Sequence, residues 1–186
     1  MLGVVALVVA AMVTPPGPVT IDVVSLSGDG CRPGTATVAM SGDNQAFTVT
    51  YSDFVVQAKG AEAKKSCTIA VELSHASGYT YGVERTDFRG FVHLGGGERG
   101  TQRSSYRFPG YPTRHGTQVY QGPVSDNWQV TDVSDGVQHG PCKGRKPLTI
   151  EAELKVTGKA GMMTMDSTDS SVSSTFRLSW QRCGGE

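Results

Sequence analysis

The sequence lacks the short motifs that mark common hydrolases and metal sites. It contains no Gly-x-Ser-x-Gly and no His-Glu-x-x-His segment, which would indicate a serine nucleophile on a sharp turn or a helical zinc site. Its four cysteines form no Cys-x-x-Cys pair, so the usual zinc and thioredoxin-like spacings are missing. Local motifs therefore predict neither an enzyme nor a cofactor.

Excess charge of either sign is also missing. Lys plus Arg and Asp plus Glu each number 17, so the net charge is zero when histidine is neutral. A neutral chain lacks the long-range attraction that draws basic proteins to nucleic acid or acidic lipid. We therefore expect no nucleic-acid partner.

Only one long apolar run is present, at residues 2–13. It is too short to span a bilayer, which takes about 18 residues or more, but it fits the apolar region of an export signal. No Lys or Arg precedes it, so we expect the natural start to lie upstream. The alternative to an export signal is that this apolar run forms a buried first strand. Residues 1–18 are thus predicted to be a signal and linker, and residues 19–186 a single secreted domain without a stable membrane anchor.

Helical periodicity is absent, and alternation of apolar and polar residues replaces it. In residues 148–157 every second residue is apolar, which predicts a strand with one buried and one wet face. Glycine contributes 24 of the 186 residues, well above the usual share of about 7%. The sequence predicts an all-β protein, an antiparallel, jelly-roll-like β-sandwich, and we expect a monomer.

Nine to ten segments carry the strand pattern, depending on whether the longest is one bent strand or two. They are residues 35–41, 46–57, 66–74, 79–94, 102–108, 117–121, 127–133, 148–157 and 172–181. The phase of 46–57 slips near Ser52, which predicts a bulge. Residues 158–171 are predicted to be a long hairpin loop between the last two strands.

An even number of cysteines in an exported chain predicts two disulfides. If the last two strands form a hairpin, Cys142 and Cys183 fall at the same end of it. In an up-down-up meander, Cys31 and Cys67 also share one end. This geometry favours the pairs 31–67 and 142–183 and leaves the other two pairings open.

Several short phrases occur in a distinctive order along the chain. They are Gly30-Cys31-Arg32-Pro33-Gly34, Asp87-Phe88-Arg89-Gly90-Phe91, Gly100-Thr101-Gln102-Arg103-Ser104-Ser105-Tyr106, Gly122-Pro123, Trp128-Gln129-Val130-Thr131-Asp132 and Pro141-Cys142. Over residues 25–183 the chain resembles the secreted family called "domain of unknown function 4360", found in actinobacteria and fungi. Arg32 departs from the family's Gly-Cys-Pro-Gly turn. The resemblance implies a small, cysteine-bridged, exported protein and supplies no catalytic residue.

Arginines and aromatic residues concentrate in residues 99–128, and the stretch 99–125 contains no Asp or Glu. The candidate ligand-binding residues are Arg103, Tyr106, Arg107, Tyr111, Arg114, Tyr120 and Trp128. Aromatic rings stack on sugar rings, and guanidinium groups bind carboxylate or sulfate in a fork. The alternative is that Tyr106 and Phe108 belong to the core while the arginines solvate the outer face.

Two sets of carboxylates are candidates for other chemistry. Glu151 and Glu153 share the wet face of one strand, at a separation comparable to that of glycosidase carboxylates; a solvated face is the simpler interpretation. Calcium takes six to eight oxygen ligands, and its candidate clusters are Asp126, Asp132 and Asp135, and Asp166 with Asp169. Neither cluster has the spacing of a known calcium loop, so polar turns are the simpler interpretation there too.

These observations predict a secreted, non-catalytic protein that binds an extracellular carbohydrate. The alternative is an inhibitor or effector that binds a partner protein, with residues 107–116 as the exposed loop. An uncharacterised hydrolase is a third hypothesis, for which the scattered histidines His75, His93, His115 and His139 offer no motif.

Overall fold

The computed structural model describes residues 17–165 and 173–184, and twelve strands account for most of them. The strands are β1 (Thr20–Ser27), β2 (Ala36–Met40), β3 (Ala46–Tyr51), β4 (Val55–Gln57), β5 (Ala63–Ser74), β6 (Tyr79–Leu94), β7 (Arg99–Arg107), β8 (Arg114–Gln121), β9 (Val124–Val133), β10 (Leu148–Thr157), β11 (Met162–Thr164) and β12 (Ser174–Arg182). The apolar run at residues 2–13 lies outside the described residues, so the export signal stays a prediction.

The strands form two antiparallel sheets that face each other across one core. Sheet A has the order β1-β5-β10-β7-β8, and sheet B has the order β2-β3-β12-β6-β11-β4 with β9 also paired to β6. The long strand β6 organises sheet B, because it pairs with β12 near its start, with β11 near its end and with β9 along its second half. The predicted all-β antiparallel sandwich is confirmed.

Alternation along the strands builds the core between the sheets. On β10, Leu148, Ile150 and Leu154 are at most 1% exposed, and the residues that alternate with this buried set, such as Glu151, face outward. From sheet B, Phe176 stacks on Phe47 with ring centroids 4.8 Å apart and meets Phe88 edge-on at 5.7 Å. These ring pairs add directional contacts to the burial of apolar area.

The strand count is twelve in the described residues rather than nine to ten, because the pattern misses β1 and β11 and merges β3 with β4. Strand β1 is an edge strand with mostly exposed side chains, and its alternation is interrupted near Val24, because the register with β5 shifts between Val23 and Ser25. Strand β11 has only three residues and interrupts the predicted hairpin loop. The break between β3 and β4 coincides with the phase slip near Ser52.

The prediction that the last two long strands form a hairpin is wrong. Strand β10 lies between β5 and β7 in sheet A, whereas β12 lies between β3 and β6 in sheet B. The disulfides are nevertheless the favoured pairs, Cys31–Cys67 and Cys142–Cys183. The start of β10 and the end of β12 meet at one end of the sandwich, so the second pair forms across the two sheets.

Two of the phrases behind the family resemblance are neighbours in space. Gly90 on β6 lies opposite Trp128 on β9, and Asp87 lies opposite Thr131. The Asp87 carboxylate accepts two hydrogen bonds of 2.8 Å from Arg85 and one of 2.6 Å from Thr131. The Arg85 guanidinium is the main cause that lowers the pKa of Asp87.

A single carboxylate holds two loops together at one end of the sandwich. Glu98, 8% exposed, accepts backbone hydrogen bonds from Gly95 at 2.7 Å, Lys159 at 2.7 Å, Ala160 at 2.8 Å and Gly161 at 3.2 Å. Backbone N–H donors favour the ionised carboxylate, and these lower the pKa of Glu98 from 4.5 to about 2.

The Glu98→Gln variant is expected to make the domain less sensitive to acid. The folded-state pKa of Glu98 lies below its ordinary value of 4.5. The ionised carboxylate therefore contributes its full stabilisation of the fold above pH 4.5, and this contribution is lost as the pH falls toward 2. The wild type should therefore melt higher than the variant at pH 7, and the two melting temperatures should converge between pH 4.5 and pH 2. Thermal unfolding followed by circular dichroism at each pH measures this, and a constant difference across that range would contradict it.

Candidate functional site

The outer face of sheet A carries an open polar groove of about 390 Å³. Its side chains come from four neighbouring strands, β5, β10, β7 and β8. We call it the sheet A groove and define it by Ser66, Thr68, Arg103, Ser105, His115, Thr117, Glu151 and Glu153. Outward-pointing positions of adjacent strands meet here, because residues directly opposite each other share a face.

The strand register arranges these side chains in two rows across the sheet. The first row is Thr68, Glu151, Ser105 and His115. The second row is Ser66, Glu153, Arg103 and Thr117. Neighbours in a row lie about 4.8 Å apart, and the rows are about 7 Å apart along the strands. Each row thus presents a line of hydrogen-bonding groups.

Ion pairs and a hydrogen bond hold the charged side chains of the groove in place. The Glu153 carboxylate lies 3.2 Å from an Arg103 nitrogen and 3.5 Å from Lys64 Nζ. The Ser105 hydroxyl donates to Glu151 Oε2 at 3.3 Å. In a serine-nucleophile triad the histidine lies between serine and carboxylate, whereas here the row order is Glu151, Ser105, His115. The serine proton therefore points to the acid and not to the imidazole.

The structure separates the seven predicted ligand-binding residues, and of these only Arg103 lies in the sheet A groove. Arg103 and Arg107 are exposed on the outer face of sheet A. Tyr106 is half-buried and lies opposite Ile150 of the core, and burial raises the pKa of Tyr106. Arg114 lies opposite Tyr106 and donates to the Gly136 carbonyl. Arg103 thus joins the carboxylates of β10, Arg107 lies opposite Thr149, and Tyr106 faces the inner side of the sheet.

The remaining aromatic residues pack against other rings. Trp128 is 5% exposed and lies 6.1 Å from Tyr120, centroid to centroid. Burial raises the pKa of Tyr120 to about 12. Tyr111 packs edge-on against Phe108 at 6.2 Å. Their role in ligand binding stays a prediction.

Sequence reasoning missed most of the groove. Glu151 and Glu153 were recognisable as a pair on one wet face, and Arg103 as an outward residue. The groove residues of β5 and β8, such as Thr68 and His115, carried no signal beyond their alternation. Their proximity depends on which strands pair, and β5, β10 and β7 are not neighbours in the sequence.

The aspartates considered as calcium ligands do not cluster in the part of the chain that is described. Within residues 17–165 and 173–184, no three His, Cys, Asp or Glu side chains converge on a possible ion. Asp126, Asp132 and Asp135 are among these residues, whereas Asp166 and Asp169 lie outside them. Over the same residues, no helix has the length and apolar character needed to cross a bilayer.

Comparison with known proteins places the chain among secreted proteins. It is 28% identical over 179 residues to an "Uncharacterized secreted protein" of Arthroderma benhamiae, an alignment that covers 90% of this chain and 73% of the relative. A secreted relative and two disulfides agree with the prediction of export, and the protein is secreted.

A solved structure and a family model also match this chain. The structure of TmCBM61 in complex with β-1,4-galactotriose aligns over 91% of this chain and 92% of that chain, at 14% identity and a TM-score of 0.33, a score too low to bear on fold or ligand. The family model described as Domain of unknown function (DUF4360) matches residues 17–183, and this chain therefore belongs to that family.

Proposed function

We propose that this secreted protein is a non-catalytic domain that binds an extracellular carbohydrate in the sheet A groove. The observation that carries the proposal is the pair of rows of donors and acceptors across four strands. A sugar hydroxyl both donates and accepts hydrogen bonds. Carboxylates such as Glu151 accept, guanidinium groups such as Arg103 donate, and the serine and threonine hydroxyls do either.

The groove is ordered before a ligand arrives. Glu153 is held between Arg103 and Lys64, and Glu151 is held by Ser105. All of these residues lie on paired strands and not on loops. A site fixed in advance loses less conformational entropy on binding, which matters for a polar surface that offers little apolar area.

The position of the carboxylates supports a binding role over catalysis. Glycosidase carboxylates flank the scissile bond on opposite sides. Glu151 and Glu153 lie on the same side, along one strand of an open groove. Both also contact other groove side chains. A ligand resting on this face would meet the two carboxylates from one direction.

Replacing Arg103 with alanine is expected to weaken glycan binding about tenfold or more. The change removes a charged donor from the centre of the second row, and hydrogen bonds to charged groups contribute about 1.5–3 kcal/mol. A glycan array with the oxidised wild type first identifies a ligand, and isothermal titration calorimetry then compares the variants.

The matched control for this test is Arg177→Ala. Arg177 is also an exposed strand arginine paired with a glutamate, Glu84, at 3.1 Å, but it lies on the outer face of sheet B. It should bind like the wild type. A wild type that binds no glycan, or an Arg103→Ala variant with unchanged affinity, would rule out the groove as a carbohydrate site.

A second candidate function is protein binding through the loop at residues 107–116. Tyr111 packs on Phe108, which itself packs edge-on against Tyr81 of β6, and Lys146 Nζ donates to the Pro109 carbonyl at 3.4 Å. The exposed residues of this loop are therefore held from two sides, and a pre-ordered loop suits a protein-binding inhibitor. Pull-down of secreted proteins with the wild type and with a loop variant is the test if no glycan binds.

A further inference from the structure

A second cavity lies at the end of the sandwich beside the Cys142–Cys183 disulfide. Its volume is about 200 Å³, and it lies between residues 75–78 and residues 140–146. We call it the end pocket. The side chains that matter are Glu72, His75, Tyr81, Phe108, Arg145 and Lys146. None of its lining residues belongs to the sheet A groove.

The end pocket contains a buried hydroxyl whose proton lacks an acceptor. Tyr81 is 5% exposed, and no acceptor for its O–H lies within hydrogen-bond distance among the described residues. Burial raises the pKa of Tyr81, the nearby Glu72 carboxylate raises it further, and a backbone hydrogen bond from Leu73 lowers it in part. The phenol therefore keeps its proton and presents an O–H donor. A buried donor without an acceptor is costly to the fold, and a ligand oxygen would satisfy it.

Two cationic side chains and one carboxylate give the lining of the end pocket a net positive charge. Arg145 donates to Ser74 Oγ at 3.0 Å, and Lys146 donates to the Pro109 carbonyl at 3.4 Å. A guanidinium carries five N–H donors and an ammonium three, so each group has donors beyond these. Glu72 supplies an acceptor for hydroxyl groups. The lining thus suits a small ligand with one carboxylate and several hydroxyls.

Aromatic rings form part of the wall. Tyr81 lies edge-on to Phe108 at 5.2 Å and to His75 at 6.0 Å, centroid to centroid. Tyr81 and Phe108 are only 5% and 4% exposed, so the half-buried His75 is the ring that the C–H face of a sugar can meet, while polar atoms at the rim orient its hydroxyls. The pocket therefore combines an apolar wall with charged groups.

The wall of the end pocket is held in place by covalent and hydrogen bonds. The disulfide joins Cys142 of the wall to Cys183, which follows β12, and the Cys183 N–H donates to the Gly78 carbonyl at 2.9 Å. Gly140 N–H donates to the Tyr81 carbonyl at 2.9 Å. These links connect both loops of the pocket to the sheets, which favours binding by preorganisation.

We infer that the end pocket binds a single carboxylate-bearing sugar residue, a uronic acid, as found at the end of an acidic polysaccharide. Its carboxylate pairs with Arg145 and Lys146, its hydroxyls donate to Glu72, and one of its oxygens accepts from Tyr81. The volume equals that of roughly seven molecules of liquid water, which is room for one sugar ring and not for a chain. The inference does not depend on the sheet A groove.

The test is a titration of the oxidised wild-type protein with galacturonic and glucuronic acid, beside the neutral sugars galactose and glucose. At least one acid should bind, and its neutral counterpart should bind at least tenfold more weakly. The affinity for the acid should also fall as salt is added, because the pairing is ionic. If neither acid binds, or if the neutral counterpart binds as tightly as the acid, the inference is overturned.

Two variants locate the bound acid. Arg145→Ala should lose at least tenfold in affinity. Tyr81→Phe should lose severalfold while its melting temperature stays the same or rises, because the change removes a buried hydroxyl whose proton has no acceptor. Arg177→Ala, on the outer face of sheet B, is the control and should bind the acid like the wild type. Wild-type affinity in either Arg145→Ala or Tyr81→Phe would overturn the inference, whatever the groove binds.

Discussion

The Gly90→Ala variant is expected to lose about 10 °C or more in melting temperature. A Cβ at position 90 would lie 2.6 Å from Cε2 of Trp128 and still closer to the Thr164 carbonyl oxygen. The indole is itself buried, and Thr164 belongs to the paired strand β11, so neither group moves freely. Overpacking of this kind costs about 3 kcal/mol or more when backbone must shift, which corresponds to about 10 °C for a domain of this size.

Gly116→Ala is the matched control, since Gly116 also lies within a strand. The nearest group to its added Cβ is the Ser104 hydroxyl at 3.1 Å, which rotates away. Alanine also loses less backbone entropy than glycine on folding. Its melting temperature should stay within about 2 °C of the wild type. A Gly90→Ala protein as stable as Gly116→Ala would show that β6, β9 and β11 do not pack as described.

Removing the Cys31–Cys67 disulfide is expected to cost about 4 kcal/mol, or about 10 °C in melting temperature. The two cysteines are 36 residues apart, and opening that loop returns its closure entropy to the unfolded chain. Both side chains are also buried, at 0% and 1% exposure. The Cys31→Ala/Cys67→Ala double variant therefore loses packing in the core as well as the cross-link.

The comparison with Cys142→Ala/Cys183→Ala separates these two contributions. That pair is 41 residues apart, so the chain-entropy model predicts nearly the same cost, but Cys142 is exposed. The Cys31–Cys67 variant should therefore melt lower by the amount that packing contributes. Differential scanning calorimetry of both variants measures the difference. Equal losses would mean that the buried position of Cys31 and Cys67 adds nothing.

Local patterns predicted which side chains are buried. The alternation of residues 148–157 correctly placed Leu148, Ile150 and Leu154 in the core and Glu151 and Glu153 outside, because side chains on a strand point to opposite faces with a period of two. The same rule put Arg103 and Phe108 on opposite faces, and the structure agrees with the alternative interpretation in which Phe108 is in the core and Arg103 is outside. Burial along one strand is a local property, so the sequence carries it directly.

Strand pairing could not be predicted in the same way. Strands β10 and β12 carry the same alternation. They could pair with each other in one sheet or lie in opposite sheets, because in both arrangements their apolar faces meet the same core. Long-range packing decided that β10 pairs with β5 and β7. The end pocket shows the same limit, because Tyr81 and Arg145 meet only through the loops that the second disulfide joins.

The sequence by itself determined that this is an all-β protein with two disulfides, and its phrases indicated the family. These properties depend on residue type and on spacing over a few positions. The tertiary structure alone decided that Glu151 and Arg103 share a groove with His115, and that a phenol and two cations surround one pocket. Those arrangements depend on which distant segments pair, and pairing is selected by the packing of the whole core and not by any one segment.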